Sequence, residues 1–223
     1  MFRLPTTLIA VTLTLFAAGC SSDDRNPVAT STGWLGPLVS MKQISGTGSD
    51  QVFVAQNAAG TKIETVYMEP VEIIVAPGTN LSTIDHGDID AMRRALDGMV
   101  RQALAGKLRF AEKPAPDVAL FRVALTMVRI GNTDRFSGIT ARANLRFEFA
   151  ETRIETELRD GGINARRAAT LASLPAEAAP KGLQDTWSEL PARFSALSRR
   201  MADQVDAAIR ALATAKPADP PAK

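Results

Sequence analysis

The period of the apolar positions changes several times along the chain. Val52 and Val54, and then the stretch from Ile63 to Val75, are rich in β-branched residues and predict strands. Asn57-Ala58-Ala59-Gly60 turns the chain between them, and Pro77-Gly78 ends the second run. The period then lengthens. Ile89, Met92, Leu96, Met99, Val100, Ala103 and Leu104 recur at helical spacing with Arg93, Arg94, Asp97 and Arg101 between them. Asp88 is placed to cap the amino end of this helix, where a carboxylate meets orphan N–H groups, and Gly106 to close it.

Strand patterns follow. Leu108-Arg109-Phe110 is short, whereas Val118 to Ile130 is long and apolar on both faces, as in a central strand. Leu145, Phe147 and Phe149 alternate with Asn144, Arg146 and Glu148, but downstream the apolar parity passes to Ile154 and Leu158. Such a flip requires either a bulge near Ala150 or two strands meeting there. Asp160-Gly161-Gly162 then predicts a hairpin turn into Ala165 to Leu174. Pro191 suits the first turn of a last helix, on which Phe194, Leu197, Met201, Val205, Ala208, Ile209 and Leu212 form one stripe. The expected order is strands, helix, four strands, helix. This is an α+β fold: an antiparallel-rich sheet with two helices packed on one face.

Composition supports one folded unit. Of 223 residues 45% are hydrophobic and 22% charged, a balance that belongs to a globular chain. The 26 Lys and Arg against 24 Asp and Glu leave a formal charge of +2, so nothing in the charge balance points to nucleic acid as a partner. One Cys excludes a disulfide framework, and one His with one Cys argues against a His/Cys metal site, so no metal is expected.

The amino end carries an address. Met1-Phe2-Arg3 precedes an uncharged run with an apolar stretch from Leu8 through Ala18, shorter than a spanning helix and ending in small residues. Leu15-Phe16-Ala17-Ala18-Gly19-Cys20 resembles a bacterial lipobox, in which the Cys sulfur accepts a diacylglyceryl group and small side chains admit the processing peptidase. Residues 1–19 are therefore expected to be a lipoprotein signal peptide, and Cys20 the first mature residue. Cys20 would carry covalent diacylglyceryl and N-acyl lipid as its only prosthetic group; two or three chains anchor stably. Ser21 rather than Asp follows, and in enteric bacteria that directs export to the outer membrane, so a periplasm-facing outer-membrane location is expected. Residues 20–50 read as a flexible tether, interrupted by the apolar segment Gly33-Trp34-Leu35-Gly36-Pro37-Leu38, which reads as a clip folding back on the domain or, alternatively, a docking peptide. The globular domain is expected at 51–213 and a disordered tail at 214–223.

Candidate chemistry is sparse. Asp85-His86-Gly87-Asp88-Ile89-Asp90 is the one place where His and carboxylates crowd; Asp85, His86 and Asp88 read first as helix capping, then as a cation site, then as a His–Asp base. Glu148, Glu151, Glu155 and Glu157 interleave with Arg146, Arg153 and Arg159, which reads as a solvated sheet face laced by ion pairs rather than a glycosidase pair. Arg166-Arg167 reads as a surface pair. No serine nucleophile elbow, phosphate loop or His-Glu-x-x-His occurs, and Gly46-Thr47-Gly48-Ser49 lacks the flanking strand and helix of a nucleotide loop, so no catalytic residue is assigned.

Several segments occur together in a recognisable order: Gly33-Trp34-Leu35, Val66-Tyr67-Met68-Glu69-Pro70-Val71, Arg122-Val123-Ala124-Leu125-Thr126, Glu155-Thr156-Glu157-Leu158-Arg159-Asp160, and Trp187 before the last helix. The series resembles the bacterial lipoprotein family catalogued as domain of unknown function number 3313. That family commonly has a residue and then Thr-Gly after its Asp, where this chain has Gly161-Gly162-Ile163-Asn164. The resemblance implies an envelope lipoprotein with a compact α+β domain, and no catalytic residues. Three functions follow in order: a non-enzymatic module that docks envelope proteins or supports envelope assembly, a periplasmic module binding a small or lipidic ligand between sheet and helices, and a hydrolase built on His86.

Overall fold

A computed structural model describes residues 33–47, 50–58, 60–80, 84–132, 142–175, 178 and 181–214. Cys20, the signal segment, residues 21–32 and the tail from 215 onward lie outside the described residues. The elements run β1 (Met41–Thr47), β2 (Asp50–Ala55), β3 (Thr65–Met68), β4 (Glu72–Val75), α1 (His86–Leu104), β5 (Arg109–Phe110), β6 (Ala119–Asn132), β7 (Leu145–Glu148), β8 (Arg153–Arg159), β9 (Arg166–Ser173), β10 (Asp185–Thr186) and α2 (Leu190–Thr214).

The strands form one antiparallel-rich sheet in the order β1-β2-β9-β8-β6-β3-β5. The run of β-branched residues between Ile63 and Val75 is broken at Glu69-Pro70-Val71, so β3 and β4 pair one after the other with the same side of β6, both parallel to it. β6 is the central strand expected from its double apolar pattern. Its first half pairs antiparallel with β8 and its last four residues with β7.

The parity flip near Ala150 has a double origin. Two strands do meet there, and β6 carries a bulge opposite the junction: Met127 takes φ +62°, and the register with β4 skips it. Phe149 to Thr152 bow out on the other side, closed by the Thr152 hydroxyl donating to Glu148 O at 3.3 Å and Met127 O at 3.5 Å. The bulge re-aims the strand, so Leu145 and Phe147 before it and Ile154 and Leu158 after it all face the helices.

Both helices pack on one face, as expected. Met92, Leu96, Val100 and Leu104 of α1, with Phe194, Leu197, Met201, Val205, Ala208 and Leu212 of α2, meet Phe121, Val123, Leu125, Ile154, Leu158, Val52 and Val54 of the sheet. A buried Thr156–Thr170 hydroxyl pair at 2.7 Å satisfies the polar atoms this face must hide. Asp50, first residue of β2, accepts from the Ser173 N–H at 2.8 Å and pairs with Arg200, joining the β1–β2 hairpin to β9 and α2.

The opposite face is not left to water. Trp34, Leu35 and Leu38 lie over Met41, Phe53, Ala169 and Leu171, forming a second, smaller apolar cluster. This corrects the tether as read from composition. Among the described residues the fold takes in the clip, and Met41–Thr47, polar enough to pass for linker, is an edge strand paired antiparallel with β2. A strand at an edge needs only one apolar neighbour row, so its pattern is weak.

The cap of α1 is also corrected. Asp85 is the N-cap, its Oδ1 accepting from the Gly87 N–H at 2.7 Å. Asp88, one turn position further on, faces inward and is buried against Arg142. Gly106, with φ +82°, follows the last turn as expected.

Candidate functional site

Four of the five resemblance-bearing segments, spread from residue 33 to residue 160, contribute to the outer face of the sheet, whereas Trp187 packs against the main core. In an antiparallel register Arg122 of β6 lies opposite Glu157 of β8, and both point away from the helices. Glu157 is only 1% exposed. It accepts from Arg122 Nη1 at 3.1 Å, from Arg159 Nη2 at 2.9 Å and from Arg166 Nε. One carboxylate thus receives three guanidinium groups. Burial alone would push this carboxyl up, but hydrogen bonds from Arg159 and Arg166, reinforced by their charge, hold it below the ordinary glutamate range.

The surplus positive charge is matched at the rim. Arg122 Nε donates to Glu69 at 3.1 Å and its Nη2 to Glu72 at 3.2 Å, so Glu69 in the break and Glu72 at the head of β4 bring two carboxylates to one arginine. Burial opposes the charge on Arg122, and the carboxylates of Glu157, Glu69 and Glu72 overcome that and raise its pKa. Its guanidinium also lies 5.1 Å from the centre of the Trp34 ring, a cation–π contact.

Arg166 spans both sides of the contact. While Nε binds Glu157, Nη1 donates to Pro37 O at 3.0 Å and Nη2 to Leu35 O. The clip's backbone carbonyls are therefore held by an arginine that a buried glutamate holds in turn. Leu35 and Leu38 fill the apolar patch beside it.

Two readings of the sequence are corrected here. The face bearing Glu155 and Glu157 is not solvated: Glu155 is fully buried and accepts from the Thr126 hydroxyl at 2.9 Å. Nor are Arg166 and Arg167 a surface pair, since their side chains keep 21% and 17% of their exposure and engage Glu157 and Asp160. Pairing with β8 brings this stretch beside that strand, but nothing local shows that a segment far upstream in the chain covers Arg166.

The Asp85–Asp88 segment does not assemble a centre. His86 is exposed on the first turn of α1, Asp85 serves the backbone of Gly87, and Asp88 serves Arg142, whose guanidinium lies 4.9 Å from the centre of the Trp187 ring. Among the described residues no group of three or more His, Cys, Asp or Glu is placed to hold a metal ion. No helix among them is long and apolar enough to cross a membrane.

A cavity of about 490 Å³ opens where β3, β5 and β6 begin and β8 ends. Its charged lining is largely paired within itself: Glu64 with Lys62 and Arg109, Asp160 with Arg167. One wall is backbone. Asp160 accepts from the Gly162 and Ile163 N–H groups, and Gly161 sits so close to Val118 O and Ala115 O that only a glycine fits. The Asp160-Gly161-Gly162 turn is thus present, with Asn164 at φ +55° in place of a further glycine.

The profile of the family described as "Protein of unknown function (DUF3313)" matches residues 30–171. The chain belongs to the DUF3313 family. The match covers the clip and the whole charged cluster, and ends in β9 before α2 begins. No curated protein matches. Among solved structures, the dodecamer of PelC from Paraburkholderia phytofirmans shares 12% identity over 74% of this chain and 96% of that one, with a TM-score of 0.33. A form of the same dodecamer with a Leu-to-Met substitution gives 12% over 72% and 97%, with 0.32. An uncharacterized protein gives 12% over 68% and 95%, with 0.35. These are distant likenesses.

Proposed function

We propose that this DUF3313 chain is a lipid-anchored lipoprotein of the cell envelope, fastened through Cys20 to the outer membrane and facing the periplasm, whose domain docks other proteins or supports envelope assembly without catalysis. One observation carries the non-catalytic reading. The cluster where the family segments converge binds the chain's own clip, and Glu69, Glu72 and Glu157 are each matched to arginine. A carboxylate locked among guanidinium groups serves poorly as a base or nucleophile, and arginine has no proton to give near neutral pH. The same cluster is well suited to holding a peptide backbone. Support for the anchor comes from the lipobox-like Leu15 to Cys20 and the lone sulfur it contains.

The space between helices and sheet is taken by Phe121, Phe147, Phe149, Phe194, Met92 and Leu96, all fully buried, which favours docking over capture of an apolar ligand. The test is mass spectrometry of the native protein beside a Cys20→Ser variant. The expected result is an acylated Cys20 in the membrane fraction and a variant that leaves it. An unmodified sulfur in the native protein overturns the anchor.

A further inference from the structure

We infer that the clip sets how the domain stands on the membrane, so that the outer sheet face turns to the lipid surface and α2 turns away from it. This rests on the acylated Cys20 proposed above. The clip lies on the outer face of β2 and β9, and α2 packs on the inner face of those same strands, so the two are on opposite sides of the molecule.

Lengths decide the matter. Thirteen residue steps separate Cys20 from Gly33, a reach of no more than about 47 Å in any conformation. A domain of roughly 180 residues has a radius of gyration near 16 Å, and is thus about 40 Å across and more than about 60 Å around half its girth. A chain leaving the clip cannot pass around to the α2 side and still meet the bilayer. Were the clip loose, the tether would run to Met41 in twenty-one steps, about 75 Å, and the restriction would vanish. The Arg166–Glu157 latch on Leu35 and Pro37 therefore turns a permissive leash into an orienting one. The residues turned toward the headgroups include Val39, 85% exposed at the end of the clip. The α2 surface bearing Arg199 is left for partners in the aqueous compartment.

The acylated protein, reconstituted in phosphatidylcholine vesicles containing an acceptor-labelled lipid, tests this. A donor is placed at Val39→Cys or at Arg199→Cys, the natural sulfur being blocked by acylation. Energy transfer to the bilayer should be several-fold greater from position 39. Arg166→Ala, which lengthens the leash to Met41, should raise transfer from position 199, and an insertion of about thirty Gly and Ser residues after Ser31, which adds roughly 100 Å of reach without touching the domain, should erase the difference. Equal transfer from the two positions in membrane-bound protein, or a difference that survives the insertion, overturns the inference. Protein that fails to bind vesicles because Cys20 carries no lipid instead overturns the anchor, so the two failures are told apart.

Discussion

Gly161 and Gly162 are adjacent, and their surroundings give them opposite roles. A Cβ on Gly161 would overlap Val118 O and fall 2.5 Å from Ala115 O, both backbone atoms unable to swing aside, whereas one on Gly162 would meet nothing nearer than 3.4 Å. Gly161→Ala should therefore cost about 1–3 kcal/mol in urea unfolding, and Gly162→Ala less than about 0.5 kcal/mol. Glu157 supplies a second test at this scale. Replacing it with Gln leaves three arginines around a neutral group; the expected loss is about 3 kcal/mol, the low end for a broken buried pair, because the arginines keep partial contact with water. The folded carboxyl lies below its unfolded value. Its contribution is thus complete above about pH 4.3 and fades as pH falls through the folded value, so wild type and Glu157→Gln should converge in acid. Denaturant midpoints measured across pH check this, and a gap that widens on acidification contradicts it.

Among the elements, the helices were the most legible. Apolar residues at helical spacing need only a local count, and Leu197, drawn from that stripe, is fully buried against the sheet. Leu197→Ala should lower stability by about 2–5 kcal/mol, read from equilibrium unfolding. At the start of α1, Asp85→Ala should cost about 1 kcal/mol by removing the cap, while His86→Ala should change stability by no more than about 0.5 kcal/mol. Asp85 and Asp88 both suited the cap by type, and choosing between them depended on Arg142, which draws Asp88 inward. Strands were legible in proportion to their burial. β6 is covered on both sides and declares itself; β1 is a polar edge strand and β10 has two residues, too few for any period. The junction of β7 and β8 could be located from the parity flip, but its geometry depended on a bulge in the neighbouring strand.

For the molecule as a whole, the proposed orientation predicts that partners meet the helix layer rather than the clipped face. Crosslinking in intact cells followed by purification of the acylated protein should recover defined envelope proteins joined through α2 or α1. Recovery of no protein at native expression would count against a docking role. Substituting Trp34 with Ala should weaken the latch by removing both the stacked ring over Arg122 and part of the apolar cover, and should increase proteolysis before Met41.

Periodicity settles which residues share a side of a helix or strand, because side-chain direction follows from local backbone geometry. On that basis the chain alone specified two amphipathic helices, a central strand, a parity break, a glycine turn, and an amino-terminal pattern resembling a lipobox. Whether a given side meets water is a different matter, since cover can come from anywhere along the chain. The alternating Glu and Arg residues of β8 would suit a wet surface, and it is the return of Trp34 to Leu38, held by Arg166 from 129 to 131 positions away, that makes Glu157 the buried centre of a latch.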